Sequence, residues 1–226
     1  ILKLAYWDSL TGLPNRVQFR DAVHEAIREA DALGDGSTVS VIMLDLDRFK
    51  HVNDVLGYRF GDLMLVGVAG RLSQQLLREG DMVARLGGDE FGVLLRGGDS
   101  ALALAVARRI AHSFDVPMTL EEHRVDIAAS IGVACWPQLA DDADTLLNRA
   151  EVAMYAAKRR GSGLLLYDTS IALITNVDPD HLDHWGTRDA FYAAFARFAN
   201  EAREAVVISS DDDGARRVAT ELTHPN

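Results

Sequence analysis

Apolar residues recur at helical spacing through NRVQFRDAVHEAIREADALG, where Val23, Ala26, Ile27 and Ala30 share a face and Gly34 supplies a stop. The period then changes. TVSVIMLDLDRF is a β-rich run, and because side chains two apart on a strand share a face, Asp45 and Asp47 project together from its C-terminal end. A second helix is predicted from about Gly61 to Leu77. The short runs MVARL and FGVLL flank Gly87 and Gly88, which suits a tight hairpin with Asp89 and Glu90 at the start of its returning strand. SALALAVARRIAHSF predicts a third helix, capped by Asp99 or Ser100. VDIAASIGVACW alternates Val125, Ile127, Ala129, Ile131 and Val133 and reads as a strand. DDADTLLNRAEVAMYAAKRRG is helical, with Leu146, Leu147, Ala150, Ala153, Met154 and Ala157 as its buried stripe, and GLLLYD closes as a strand.

From residue 39 the core order is therefore strand, helix, strand, strand, helix, strand, with one more helix and strand following. This is the ferredoxin-like βαββαβ arrangement of the α+β class, an antiparallel sheet with helices packed on one side. Such a sheet sets the first strand beside the hairpin, so Asp45 and Asp89 are expected to be neighbours. Beyond Asp168 the pattern starts afresh as strand, acidic and histidine-rich loop, helix, strand, "DDD" cap and helix, a small α/β tail.

A chain of 226 residues with 48% apolar content has enough material for a proper core. No apolar run approaches the ~18 residues needed to span a bilayer, and the N-terminus lacks a signal pattern. Its start at Ile1 rather than Met reads as a piece of something longer. The single cysteine, Cys135, excludes an internal disulfide or a Cys-cluster metal site, fits a reducing compartment and is expected in the core. A net charge of −11 argues against binding a nucleic-acid backbone. Both parts are acidic, about −6 for residues 1–168 and −5 for 169–226, so contact between them is expected to be apolar, through Ile171, Leu173, Phe191, Phe195 and Phe198.

Adjacent carboxylates on neighbouring strands repel one another unless a cation lies between them. Mg²⁺ takes a few carboxylates plus phosphate oxygens, which points to a nucleoside triphosphate, and paired metals about 4 Å apart stabilise both oxygens of an in-line displacement. Asp89 and Glu90 would equally suit a solvated turn, and Asp45 and Asp47 would suit strand-end caps. Lys50 and Lys158 lie where either can meet phosphate, although each type is common on surfaces.

These stretches together resemble the GGDEF domain, the catalytic module of diguanylate cyclases. The resemblance runs through DSLTGLPNR (8–16), DLDRFKHVNDVLGYRFGD (45–62), RLGGDEFGVLL (85–95), SIGVA (130–134) and AEVAMYAAKRRG (150–161), and covers about residues 1–168. It implies a cytoplasmic bacterial enzyme in which two protomers, each holding GTP and Mg²⁺ or Mn²⁺, face each other and yield cyclic di-GMP and pyrophosphate. By position, Asp45 and Asp89 match the family's metal ligands. Glu90 matches a ligand or the group that helps deprotonate the attacking hydroxyl. Gly87 and Gly88 let the backbone approach phosphate. Asn53 and Asp62 match the guanine-reading pair, and Lys50 and Lys158 the phosphate contacts; Phe91 is expected in the core. Two positions depart from the family: Tyr58 stands where His is common, and Ser162 where Arg is usual, which implies weaker GTP binding unless Arg159 or Arg160 substitutes. Arg78 and Asp81 match the RxxD site at which the product inhibits, though REGD also suits a helix end followed by a turn.

The tail resembles part of the central domain of the Mur ligases through TNVDPDHLDHWG and DDDGARRV. Asp178, Asp180, His181, Asp183 and His184 could form a metal site or act as helix caps. No phosphate loop ending in Gly-Lys-Ser/Thr occurs in these residues, so no ligase activity is expected. The whole then reads as a fusion of 1–168 and 169–226, engineered or rearranged. Two other readings compete with a cyclase: a silent GTP or cyclic di-GMP binding module, and a chimeric scaffold.

Overall fold

The computed structural model describes residues 5–76, 78–159, 163–166, 171–174, 187–200 and 205–223. They form two compact units, 1–167 and 168–226. In the first, the elements are α1 (Arg16–Leu33), β1 (Val39–Leu46), α2 (Phe49–Leu56), α3 (Tyr58–Gln75), β2 (Met82–Gly87), β3 (Glu90–Arg96), α4 (Ser100–Ser113), β4 (Met118–Leu120), β5 (His123–Val125), β6 (Ala129–Trp136), α5 (Ala143–Arg159) and β7 (Gly163–Leu166). Five strands make the main sheet in the order β2-β3-β1-β6-β7. All its pairs are antiparallel except β6 with β7.

The helix ends follow local chemistry. Asn15 caps α1 by accepting from the N–H groups of Val17 and Gln18, and Gly34 ends it in the left-handed region at φ 60°. Asp99, not Ser100, caps α4 through the Leu102 N–H at 2.8 Å.

Helices cover both faces of the sheet, not one. On one face, Ile42, Leu44 and Leu46 of β1, with Phe91, Val93 and Leu95 of β3, pack in one cluster with Met64, Leu65, Val68 and Leu72 of α3 and Val106 and Ile110 of α4. The alternate residues look the other way. Gly92 lies beneath Phe19 of α1, whose ring leaves a Cβ there only 2.7 Å of room, and Gly132 lies against the backbone of Ala150 and Met154 in α5. Because β1 and β6 are buried at every position, neither alternation nor charge marks an outer face. Phe91 and Cys135 are core residues, as expected.

Two further elements lie outside the predicted order. An additional helix, α2, precedes the predicted second helix (α3) across Gly57, and a short hairpin, β4–β5, precedes β6. Among the described residues, no helix is long and apolar enough to cross a membrane.

The second unit contains β8 (Ile171–Ile174), α6 (Arg188–Asn200), β9 (Ala205–Ile208) and α7 (Asp213–Ala219), with β8 and β9 parallel. Asp212 caps α7 through the Ala215 N–H at 2.7 Å. Phe191 and Phe195 serve this unit's own core, with Tyr192, Ala196, Ala199, Ala215 and Val218. A helix of 13 residues beside two short strands needs those rings to bury its apolar face. The side chains of Ile171, Leu173 and Phe198, and the whole of Asp178, Asp180, His181, Asp183 and His184, lie outside the described residues.

Candidate functional site

The antiparallel register of β1 and β3 sets Asp45 opposite Glu90 at one end of the sheet. Asp89 stands in the turn just before, where its backbone carbonyl accepts from the Leu46 N–H at 3.2 Å. This turn depends on its glycines: Gly87 and Gly88 have φ of 141° and 48°, values that a side chain would strain.

Behind these carboxylates α5 delivers Lys158, whose Nζ donates to Asp45 Oδ1 at 2.8 Å. Burial opposes the ammonium charge. The Asp45 hydrogen bond and the charges of Asp45, Asp89 and Asp47 outweigh it and hold Lys158 above its ordinary value. Burial first, and then the charge of Asp45, raises the Asp89 carboxyl. Burial also raises Glu90; Arg16 opposes this while Glu151, Asp45 and Asp89 reinforce it. A raised carboxyl pKa records negative charge held without full compensation. The donors are all carboxylate oxygens, which suits a hard divalent cation such as Mg²⁺ or Mn²⁺. Among the described residues, no group of three or more His, Cys, Asp or Glu side chains is gathered closely enough to hold a metal ion by itself.

Asp47 follows β1 on the same face as Asp45. Its Oδ1 accepts from Ser130 Oγ at 2.8 Å, while its Oδ2 is buried with no hydrogen-bond partner among the described residues. Arg48 then turns the chain into α2 at φ 59°, an uncommon conformation for a residue with a side chain. Lys50 is exposed on α2.

Asn53 and Asp62 lie on α2 and α3. The Asn53 carbonyl accepts from the Gly57 N–H at 2.9 Å, and its Oδ1 is buried without a partner where a Cβ on Gly61 would overlap it. Gly61→Ala is therefore expected to push the Asn53 amide aside with little change in melting temperature, which a thermal melt beside the parent checks. Tyr58 is 80% exposed at the start of α3. Arg159 is exposed at the end of α5, and Arg160 and Ser162 lie outside the described residues.

Three residues beyond those assigned from sequence brace the turn. Arg85 donates to both carboxylate oxygens of Asp8 at 3.1 Å and, through Nε and Nη2, to the Gly88 carbonyl at 3.1 and 2.7 Å. Arg16 donates to the Leu86 carbonyl at 2.9 Å and to Glu90 at 2.7 Å. Asp8, Arg16 and Arg85 all fall within the motif stretches, which was their only signal.

Burial works against the Asp8 charge, but hydrogen bonds from Thr11 and Arg85 overcome it and lower its pKa. Its stabilising contribution is thus present above the ordinary value of 3.8 and lost as pH falls through the lower folded value. Asp8→Asn is expected to lower the melting temperature at pH 7, with the gap to the parent closing below about pH 3.8. Melting curves across that range test it.

At the other end of β3, Asp81 Oδ1 accepts from the Arg96 N–H at 3.2 Å. Burial raises Asp81, against that hydrogen bond and the charge of Arg78. Arg78 is exposed and close by.

Residues 5–163 match the family model of the diguanylate cyclase GGDEF domain, and 110–226 match that of the Mur ligase middle domain. The second match begins inside the first unit, where β6 and α5 are built into the five-stranded sheet and its covering layer. The diguanylate cyclase TpbB of Pseudomonas aeruginosa is 45% identical over 161 residues, 70% of this chain and 36% of the relative. MucR of the same species, a bifunctional diguanylate cyclase and cyclic di-GMP phosphodiesterase, is 38% identical over 76% of this chain and 25% of the relative. The chain thus spans about a third or less of these curated relatives. The solved GGDEF domain of TpbB superposes with a TM-score of 0.68 at 43% identity, covering 72% of this chain and 95% of that one. The GGDEF domain of DgcB from Caulobacter crescentus, solved with cyclic di-GMP, gives 0.66 at 27% identity, covering 72% and 96%.

Proposed function

Because the chain belongs to the GGDEF diguanylate cyclase family, with a C-terminal stretch that belongs to the Mur ligase middle-domain family, we propose that it condenses two GTP into cyclic di-GMP and two pyrophosphates. The observation that carries this reading is the meeting of Asp45, Asp89, Glu90 and Lys158 at one end of the sheet. The names of TpbB and MucR support the same chemistry.

Asp45, Asp89 and Glu90 would hold Mg²⁺ or Mn²⁺, which when bound polarises the α-phosphate and stabilises the attacking and leaving oxygens. Gly87 and Gly88 bring backbone N–H groups up to the triphosphate. Lys158 and Lys50 offset its negative charge, and the loss of pyrophosphate depends on that compensation. Asn53 and Asp62 read guanine: the carboxylate accepts from N1 and N2 hydrogens, and the amide serves O6 or N3. Glu90, with its raised proton affinity, helps take the proton of the attacking 3′-hydroxyl. As that hydroxyl oxygen bonds to the α-phosphorus of the other GTP, the bond to pyrophosphate breaks. The reaction therefore needs two protomers face to face. Arg78 and Asp81 bind the product and limit its synthesis. Residues 169–226 form a fused α/β fragment with no ligase activity of their own.

A second reading keeps binding without catalysis. Incubation with GTP and Mg²⁺, nucleotide separation and an Asp89→Ala, Glu90→Ala control decide between them. Cyclic di-GMP from the parent alone supports the cyclase. GTP retained but unconverted at high protein concentration overturns it in favour of a binding module.

A further inference from the structure

We propose that Arg96 supplies a second guanidinium to the product site of Arg78 and Asp81, and that Glu29 competes with the product's phosphate for it. This rests on the product-site reading of Arg78 and Asp81 and extends it to two residues outside that motif.

Arg96 ends β3, where its backbone N–H is already bonded to Asp81. Its side chain passes over the turn between Arg78 and Asp81, for a Cβ on Gly80 would lie 3.6 Å from Arg96 Cδ. Arg78 reaches back the other way, with Nη2 3.5 Å from where a Gly97 Cβ would stand. The Arg96 side chain thus runs beside Gly80 and the Arg78 guanidinium beside Gly97, and Asp81 is bonded to the Arg96 backbone, so both arginines lie along one short surface. A dinucleotide with two phosphates and two guanines asks for this combination: planar forks for phosphate or for the Hoogsteen edge, and a carboxylate for guanine N1 and N2 hydrogens.

The Arg96 guanidinium is ion-paired with Glu29 of α1. Glu29 is 58% exposed and Arg96 31%, so the pair is solvated and readily exchanged for a better partner. A phosphate offers two charged oxygens to the same fork and displaces the single carboxylate. Glu29 thus sets the affinity of the site by how strongly it holds Arg96 back.

Calorimetric titration of the full chain with cyclic di-GMP tests this without recourse to turnover. Arg78→Ala is expected to lose most of the binding. Arg96→Ala should weaken it by about tenfold or more, as for a lost charged hydrogen bond. Glu29→Gln should tighten it by about two- to fivefold, the range of an exposed ion pair, and this gain should vanish in Glu29→Gln, Arg96→Ala. Arg96→Lys, which keeps the charge and the fold but not the fork, should fall between parent and Arg96→Ala. Parent-like binding by Arg96→Ala, with Arg78→Ala impaired, overturns the role of Arg96 and leaves the product site standing. Parent-like binding by both variants, or none by the parent, overturns the product-site reading itself.

Discussion

Gly132→Ala is expected to be the most damaging single methyl addition in the first unit, destabilising it by about 3 kcal/mol. A Cβ at this position would overlap the Ala150 carbonyl oxygen and the Met154 amide nitrogen, both backbone atoms of α5. Neither can rotate away, unlike the side chain of Met118 beside Gly67. Relief requires α5 to lift from β6 along with its buried stripe of Leu146, Ala150, Ala153, Met154 and Ala157. Since α5 also carries Lys158, the lift should loosen the Lys158–Asp45 ion pair as well. Chemical denaturation would show the midpoint falling with an unchanged slope. A variant as stable as the parent would mean that α5 does not press on β6 as described.

Asp89→Asn is expected to abolish turnover while stabilising the fold. Removing one charge that the chemistry depends on should lower kcat by about 10²–10³-fold or more. The stability effect has the opposite sign. Burial and the charge of Asp45 raise the Asp89 pKa above 3.8, so stability falls as pH rises from that value through the folded one, and the ionised carboxylate remains a liability at pH 7. An amide of nearly the same shape removes the repulsion. With EDTA present, Asp89→Asn should therefore melt above the parent at pH 7, and the difference should shrink below about pH 4. A lower melting temperature at neutral pH would show that Asp89 serves the fold rather than being strained by it.

Much of this was legible in the amino-acid order because the strands are short and separated by helices with clear apolar stripes. The hairpin at Gly87 and Gly88 and the cap at Asp99 follow from residue type alone. The two-sided covering of the sheet was not readable, since Val39–Leu46 and Ala129–Trp136 are buried throughout and period-2 contrast vanishes. The helix α2 escaped notice because it is only eight residues long; its apolar residues Phe49 and Val52 pack against the core but are only partly buried. At the site, the topology of adjacent strands made Asp45 and Asp89 neighbours, whereas only the register shows Glu90 to be directly opposite Asp45. The braces could not be read: Arg85 finds Asp8 across 77 positions and Arg16 finds Glu90 across 74, and nothing local to either arginine distinguishes it from a surface residue.

Glu90 and Arg96 are the first and last residues of one strand, separated by about 20 Å at the usual rise. That strand is hydrogen-bonded along both edges, to β1 and to β2, so it can neither stretch nor slip by one position without forcing each buried side chain into the opposite, equally covered face. It behaves as a strut. A ligand gripping Arg96 thus has no internal lever by which to pull Glu90 out of line. Under the proposed function, product inhibition from that distance would act by limiting the freedom of the whole domain to meet its counterpart. Inhibition of this kind would leave the geometry of each half-site intact and show itself in how often two halves meet.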